Sequence, residues 1–341
     1  LLGLLPEELP DALAPLGVSL DLDEARRVSA PLFASPGARP PRRPLPRTKL
    51  DAIATSADSH RLEIVERVTD PSDGFVKYLF RSPDGALSEA VRIPLEKPGR
   101  FSVCLSSQVG CAMQCVFCAT GRLGFTRHLE TWEMVAAFLA VRDEAPGRVS
   151  GAVFQGQGEP LHNYDNVIHA ARVLSHPCCG KISGRNITIS TVGMVREIRR
   201  YAAERHPFRL IVSLTSALAE RRRSLLPVAG RVPMEELAQA IREYAASSKG
   251  RTTLGWVLMS GVNSDPAEAR ELERLFAGVP LRINLIDVND QRPAGFLRAS
   301  DAERKAFMDA LQVLKAPIVR RYSGGASRHA ACGMLAATRF D

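Results

Sequence analysis

From residue 101 onward, short apolar runs rich in β-formers alternate with amphipathic stretches of helical period. Strands are predicted at Phe101–Ser106, Gly151–Gln155, Asn186–Thr191, Arg209–Leu214, Thr253–Met259 and Leu281–Ile286, with a last short one at Ile318–Tyr322. Between them the spacing predicts helices over Thr131–Glu144, Tyr164–Leu174, Val195–Arg205, Met234–Ser247, Pro266–Phe276 and Ala302–Leu314, the first capped by Thr131. Successive βα units demand a parallel sheet with helices outside it. Six such units are two short of a closed eight-unit barrel, so an α/β fold with a partial (β/α)6 barrel is expected.

Upstream the pattern changes. Arg61–Val68, Gly74–Arg81 and Leu87–Pro94 carry β-formers separated by turn signals at Pro71-Ser72-Asp73-Gly74 and Pro83-Asp84-Gly85. They predict a short antiparallel β extension leading into the core. Residues 1–50 lack strand-forming runs; one or two short helices are expected within Leu13–Arg27, and Gly37–Arg47 reads as an exposed basic linker. The expected regions are therefore 1–50, helical accessory region and linker; 51–100, β extension; and 101–341, barrel with a carboxyl-terminal loop. Leu1–Leu5 is apolar but runs straight into Pro6, Glu7 and Glu8 without a basic flank, so no secretory signal is expected. No apolar run reaches the ~18 residues of a membrane span.

Composition adds little to this until charge and cysteine are counted. The chain has 341 residues, 45% hydrophobic and 24% charged, enough to bury a large core without covalent staples. Its net charge of +8 suits a polyanionic partner. Four of the seven cysteines fall between positions 104 and 118. That clustering argues for a metal or redox site in a reducing cytoplasm, not for a disulfide scaffold.

The densest segment is Cys111-Ala112-Met113-Gln114-Cys115-Val116-Phe117-Cys118. Three soft thiolates on one loop suit zinc or iron–sulfur. Structural zinc wants four protein ligands, and no close His or Cys completes the set, since Cys104 sits on the preceding strand. Three ligands with one open position suit a 4Fe–4S cluster whose unique iron binds a chelating group. This spacing, on a loop after the first strand of a βα array, resembles the radical S-adenosylmethionine (SAM) superfamily. In βα barrels chemistry sits on the loops that follow strands. Here those loops carry Gly156-Gln157-Gly158-Glu159-Pro160, Ser190-Thr191, Ser213-Leu214-Thr215, and Asp287, Asn289 and Asp290. The glycines let backbone approach a ligand closely, and Glu159 can accept from an ammonium group.

A closer resemblance rests on four segments in order: Cys104 with Ser107-Gln108-Val109-Gly110-Cys111, Phe117-Cys118 with Thr120-Gly121, Gly156 with Gly158-Glu159-Pro160-Leu161, and Ala330-Ala331-Cys332-Gly333. Together they resemble the RlmN/Cfr family, radical SAM methyltransferases that act on C2 or C8 of adenosine in RNA. The likeness runs from about Glu89 to the carboxyl end, and Glu24–Phe33 corresponds loosely to a helix of the family's accessory RNA-binding domain.

The resemblance implies that Cys111, Cys115 and Cys118 hold one 4Fe–4S cluster per chain. Gly158, Glu159, Ser190, Ser213, Leu214, Thr215 and Asn289 would line the SAM site. Cys332 would accept the methyl group, Cys104 would resolve the adduct, and Glu89, in Glu89-Ala90-Val91-Arg92-Ile93-Pro94, would take the ring proton. It also implies two SAM molecules consumed per turnover, an rRNA or tRNA adenosine with C2 favoured over C8, and an electron donor such as flavodoxin or ferredoxin. A cytoplasmic monomer without membrane attachment is expected.

The chemistry explains the extra cysteines. Adenine C2 and C8 are electrophilic amidine carbons that polar methyl transfer cannot alkylate. A thiolate takes the methyl first, a carbon radical then adds to the ring, and a second thiol releases product by forming a disulfide. Three departures from the family fall on the substrate side. Thr215 stands where His is usual, Arg328-His329 replaces an acidic pair, and Asn289-Asp290-Gln291-Arg292-Pro293 lacks the usual Pro after Asn. Two other readings compete: the same chemistry on a nucleoside or peptide, and a zinc-holding RNA-binding protein without catalysis. Cys178 and Cys179 have no part in the scheme and are expected to be structural.

Overall fold

Ten strands form one continuous sheet in the computed structural model, which describes residues 1–39, 43–56, 61–248, 250–290 and 292–336. In chain order the strands are β1 Glu63–Thr69, β2 Val76–Arg81, β3 Leu87–Pro94, β4 Arg100–Leu105, β5 Gln108–Gly110, β6 Phe125–His128, β7 Arg148–Phe154, β8 Ile187–Thr191, β9 Arg209–Ser213, β10 Thr252–Leu258, β11 Leu281–Asp287 and β12 Ile318–Arg321. The sheet order is β1-β2-β3-β4-β7-β8-β9-β10-β11-β12. β1 to β4 form an antiparallel meander, and every pairing from β4 to β12 is parallel. β1 and β12 do not pair, so the sheet stays open as a partial barrel.

The antiparallel extension is continuous with the barrel sheet. Val91 on β3 pairs with Cys104 on β4, and Cys104 pairs in turn with Val153 on β7. A two-stranded ribbon, β5 with β6, stands apart from the main sheet. Its strands of three and four residues have too little alternation to be legible beforehand.

Helices Thr131–Asp143, Tyr164–Ser175, Val195–Glu204, Met234–Ser247, Pro266–Phe276 and Asp301–Ala310 cross between the parallel strands. Their inner stripes, including Phe138, Val167, Ile198, Leu237, Leu272 and Phe307, are buried against the sheet. Each such side chain contributes roughly 1.5–3 kcal/mol by leaving water. Thr131 does not cap its helix. Glu130 holds the extended N-cap conformation and donates its N–H to Glu133 (2.7 Å), while the Thr131 hydroxyl turns to the Asn166 carbonyl. A further short helix, Ala219–Leu225, follows β9; its run of arginines shows no apolar stripe in the sequence.

At the amino terminus, helices Leu9–Leu13, Leu22–Leu32 and Arg47–Ser56 share a small core of Leu9, Leu13, Val18, Leu20, Ala25, Val28, Leu45 and Ile53. Asp21 and Glu24 form a capping box on the second helix, and Lys49 reaches Glu24 at 2.6 Å from the third. The expected linker is thus shorter than its composition suggested. Leu45 is buried, Arg47 already starts a helix, and residues 40–42 lie outside the described set. No helix among the described residues is long and apolar enough to cross a membrane.

Candidate active site

The loop after β4 is clamped at both ends. The ribbon brackets it, and the Cys111 N–H donates to the Gly124 carbonyl (2.6 Å). At Gly110 the backbone has φ +73°, and a Cβ there would stand 2.0 Å from that carbonyl oxygen, so only glycine fits. Val116 donates to Leu225 (3.1 Å) and Ala119 to Gly333 (2.7 Å), which ties the loop to two distant segments. The side chains of Cys111, Cys115 and Cys118 line one cavity of about 390 Å³ together with Cys104 and Cys332.

Burial pushes the Cys111 thiol up to about 12 and raises Cys115 well above its ordinary value, with the neighbouring thiols adding to the effect. These are neutral thiols in the metal-free protein, and a metal centre would have to displace their protons. Among the described residues no three His, Cys, Asp or Glu gather round a point as ligands of a single ion. Three thiols on one cavity wall would suit a 4Fe–4S cluster held by three thiolates. Tetrahedral zinc needs a closed four-ligand set.

The loops after β7, β8 and β9 line the same cavity. Glu159 is 2% exposed and accepts from the N–H groups of Val192 (2.8 Å) and Leu161 (2.9 Å). Burial raises its carboxyl to about 7 against the pull of those bonds. Gly158, at φ +98°, packs so closely on Gln108 that a Cβ would come within 2.6 Å of the Gln108 side chain. The buried Gln108 amide oxygen in turn accepts from the Glu159 N–H (2.8 Å). Ser190 and Ser213 bring their hydroxyls within 3.3 Å of each other on the cavity wall. Thr215, also on that wall, is fully buried, sits at φ +62°, and its hydroxyl has no hydrogen-bond partner. Positive φ strains a β-branched residue, and the Asn263 amide holds the Thr215 carbonyl in place (2.6 Å). A buried hydroxyl without a partner is what a missing ligand leaves behind.

Leu214, Asn289 and Glu89 do not line the cavity. Leu214 belongs to the barrel core. Asn289 donates to the Ser323 hydroxyl (3.0 Å) and the Cys332 carbonyl (3.3 Å) and accepts from Arg298, so it supports the Cys332 loop. Glu89, 1% exposed, is ion-paired with Lys77 at 2.9 Å and accepts from Gln157 at 3.4 Å. It shares a face of β3 with Val91, which does reach the cavity. Asp287 and Asp290 are engaged elsewhere, with Arg304 and Arg320 and with Arg292. Cys178 and Cys179 lie away from the cavity.

Cys332 is half-buried on the cavity wall; burial pushes its thiol up to about 12, with the nearby Cys118 adding to the rise. Gln155 on the loop after β7 donates to its Sγ at 3.5 Å, a bond that favours the thiolate. Cys104, also pushed to about 12 by burial, feels the charge of Cys332. All described cysteines are free thiols. The loop that carries Cys332 is held from afar. Ser323 accepts from the Cys332 N–H (3.0 Å), Asp73 accepts from Tyr322 (2.9 Å) and from the Gly325 N–H (2.8 Å), Asp70 accepts from Ser327 (2.6 Å), and Thr120 donates to the Leu335 carbonyl (2.6 Å).

Two contributors escaped the sequence reading. Gln155 ends a predicted strand and looks like an ordinary polar residue there. Arg222, on the helix after β9, is 1% exposed and has no carboxylate partner among the described residues. It donates to the carbonyls of Leu214 and Val192, which clamps the loops after β8 and β9, and burial lowers it to about 10. A stretch reading Arg221-Arg222-Arg223 gives no signal that its middle member is the buried one.

Residues 105–272 match the radical SAM superfamily. A Myxococcus xanthus protein named "Probable RNA methyltransferase" is 46% identical over 340 residues, 98% of this chain and 93% of that protein. The dual-specificity RNA methyltransferase RlmN of Syntrophobacter fumaroxidans is 41% identical over 267 residues, covering 78% of this chain and 77% of its own. A crystal structure of a radical SAM methyltransferase from Sphaerobacter thermophilus superposes with a TM-score of 0.88 at 36% identity, over 99% of both chains.

Proposed function

The chain belongs to the RlmN-type methyltransferases of the radical SAM superfamily, and from that premise we propose that it methylates an adenosine ring carbon of rRNA or tRNA, C2 in preference to C8, through a methylated Cys332. The observation that carries the proposal is the single cavity onto which Cys111, Cys115, Cys118, Cys104 and Cys332 all open. Cluster and SAM, when bound, supply the one-electron chemistry and the methyl group. Cys111, Cys115 and Cys118 hold the cluster. Glu159, Gly158, Ser190, Ser213 and Thr215 receive SAM, with Glu159 accepting from its ammonium and the unpartnered Thr215 hydroxyl gaining a bond.

Cys332 is the methyl acceptor, and the Gln155 N–H favours its thiolate at the moment of attack. Glu89, ion-paired with Lys77 behind Gln157, takes the ring proton from the adduct. Cys104, as its thiolate, then attacks Cys332 Sγ; the bond from that sulfur to the adduct's methylene carbon breaks as the disulfide forms, and the carbon keeps the electron pair and takes up a proton, which releases the methylated product. Leu214 acts indirectly, its carbonyl held by Arg222 between Ser213 and Thr215, and Asn289 acts by holding the Cys332 loop. A flavodoxin or ferredoxin serves as electron donor. Mass spectrometry of RNA nucleosides from cells with and without the gene tests the reading. Loss of 2-methyladenosine from a defined rRNA or tRNA position on deletion is the expected result, and an unchanged nucleoside profile overturns it.

A further inference from the structure

A second hollow, larger than the thiol cavity, lies at the other end of the parallel strands. It is an open groove of about 1350 Å³ between the N-terminal helical region and the starts of β4, β7 and β8. Arg39, Arg100, Arg142, Arg148 and Lys181 line it, and no Asp or Glu does. Arg142 is engaged: it donates to the carbonyls of Phe33 (2.8 Å) and Ala34 (3.4 Å) and pairs with Asp143, so it fastens the helical region to the barrel. Arg39, Arg100, Arg148 and Lys181 have no ion pair or side-chain hydrogen bond among the described residues. Arg39, Arg148 and Lys181 are exposed, and Arg100 is half-buried.

Four uncompensated cations around one groove repel each other, and an occupant with several spaced negative charges relieves that repulsion. A lone anion would satisfy one or two of them, whereas a phosphodiester backbone presents a charge at every nucleotide. An acidic electron-donor protein also has spaced charge. Strands of five to seven residues separate the groove from the thiol cavity, about 20 Å, which places such a donor at the wrong end for the cluster.

We propose that this groove docks the sugar–phosphate backbone of the RNA at a distance from the reacting base, an inference that rests on the RNA reading above. Its contacts set register and affinity and leave the choice of base to the cavity.

The test uses the full chain and a triple variant, Arg100→Gln, Arg148→Gln and Lys181→Gln, with Arg148→Gln alone as the milder form. Binding of a fluorescein-labelled tRNA transcript and of a labelled rRNA hairpin is measured between about 50 and 200 mM salt. At ~0.7–0.9 per lost phosphate contact, the slope of log affinity against log salt falls by about 2–3 in the triple variant and by about 1 in the single one. Iron content, thermal stability and RNA-independent SAM cleavage stay at the level of the parent protein. An unchanged slope while the parent protein binds RNA overturns the groove and leaves the methyltransferase reading intact. A parent protein that binds neither RNA removes both. Slower reduction by flavodoxin with an unchanged RNA slope assigns the groove to an acidic protein and overturns the proposal.

Discussion

The two walls of the thiol cavity are built on different principles. The wall made by the cluster loop and the loops after β7, β8 and β9 hangs directly on strand ends, and buried groups lock it: Gln108 under Gly158 and Glu159, Arg222 behind Val192 and Leu214, Asn263 under Thr215. The facing wall, Ser323 to Leu335, has one 3-10 turn and no strand, and bonds to Asp70, Asp73, Ala119, Thr120, Gln155 and Asn289 hold it. The first wall is thus fixed by the sheet itself, the second by side-chain bonds and by a small apolar cluster in which Ala330 and Leu335 pack on Phe75 and Val91. The division matches the chemistry. In the proposed scheme a cluster and SAM would need a fixed seat, whereas Cys332 would face a methyl donor, an adenine ring and Cys104 in turn.

The largest expected effect is on the rigid wall. Alanine at Cys111, Cys115 or Cys118 should abolish SAM cleavage and leave anaerobically reconstituted protein well short of about four irons per chain. A full iron complement in any one of these variants would remove that cysteine from the ligand set.

At the two remaining thiols, Cys332→Ala and Cys104→Ala should both end turnover, yet at different points. Cys332→Ala can load no methyl and form no adduct. Cys104→Ala should accumulate a covalent protein–RNA complex joined at Cys332, seen as a slow, nuclease-sensitive band, and Glu89→Ala should accumulate it too. Full methyl transfer by Cys104→Ala would sink the two-thiol scheme and spare the cluster assignment.

Intermediate effects should come from Glu159. Replacement by Gln removes a charge-assisted bond, about 1.5–3 kcal/mol, and should weaken SAM binding by roughly 10- to 150-fold with the cluster intact. Because burial lifts this carboxyl to about 7, it is neutral below that value and charged above it. SAM affinity, followed by calorimetry, should therefore strengthen as pH rises from about 6 to 8 and lose that dependence in Glu159→Gln. A pH-dependence that survives the substitution would place its origin elsewhere.

The smallest effect is the one that separates the walls most cleanly. Asp73→Asn weakens the bonds to the exposed Tyr322 hydroxyl and to the Gly325 N–H. Loading of methyl onto Cys332 should slow by about tenfold, the kinetic equivalent of ~1.4 kcal/mol, while iron content and SAM binding hold. A loss of iron in this variant would show that the two walls are not independent.

Alternation of strand and helix, the spacing of Cys111, Cys115 and Cys118, and the glycine-bounded Glu159 were all legible in the residues alone. Each is a property of contiguous chain: a period, a spacing, or a turn that only glycine permits. A parallel sheet with helices outside it followed as well, because crossover connections admit few topologies. Tertiary structure alone decided the rest. Gln155 meets Cys332 across 177 residues, Thr120 meets Leu335 across 215, and Asp73 meets Tyr322 across 249. Such pairs leave no local signature, since any polar residue could fill either position until the chain brings them together. Burial has the same character: among Arg221, Arg222 and Arg223, only packing singles out the guanidinium enclosed without a carboxylate. The basic groove, too, is assembled from the starts of strands far apart in sequence, and like charges become a site only where folding forces them to share one hollow.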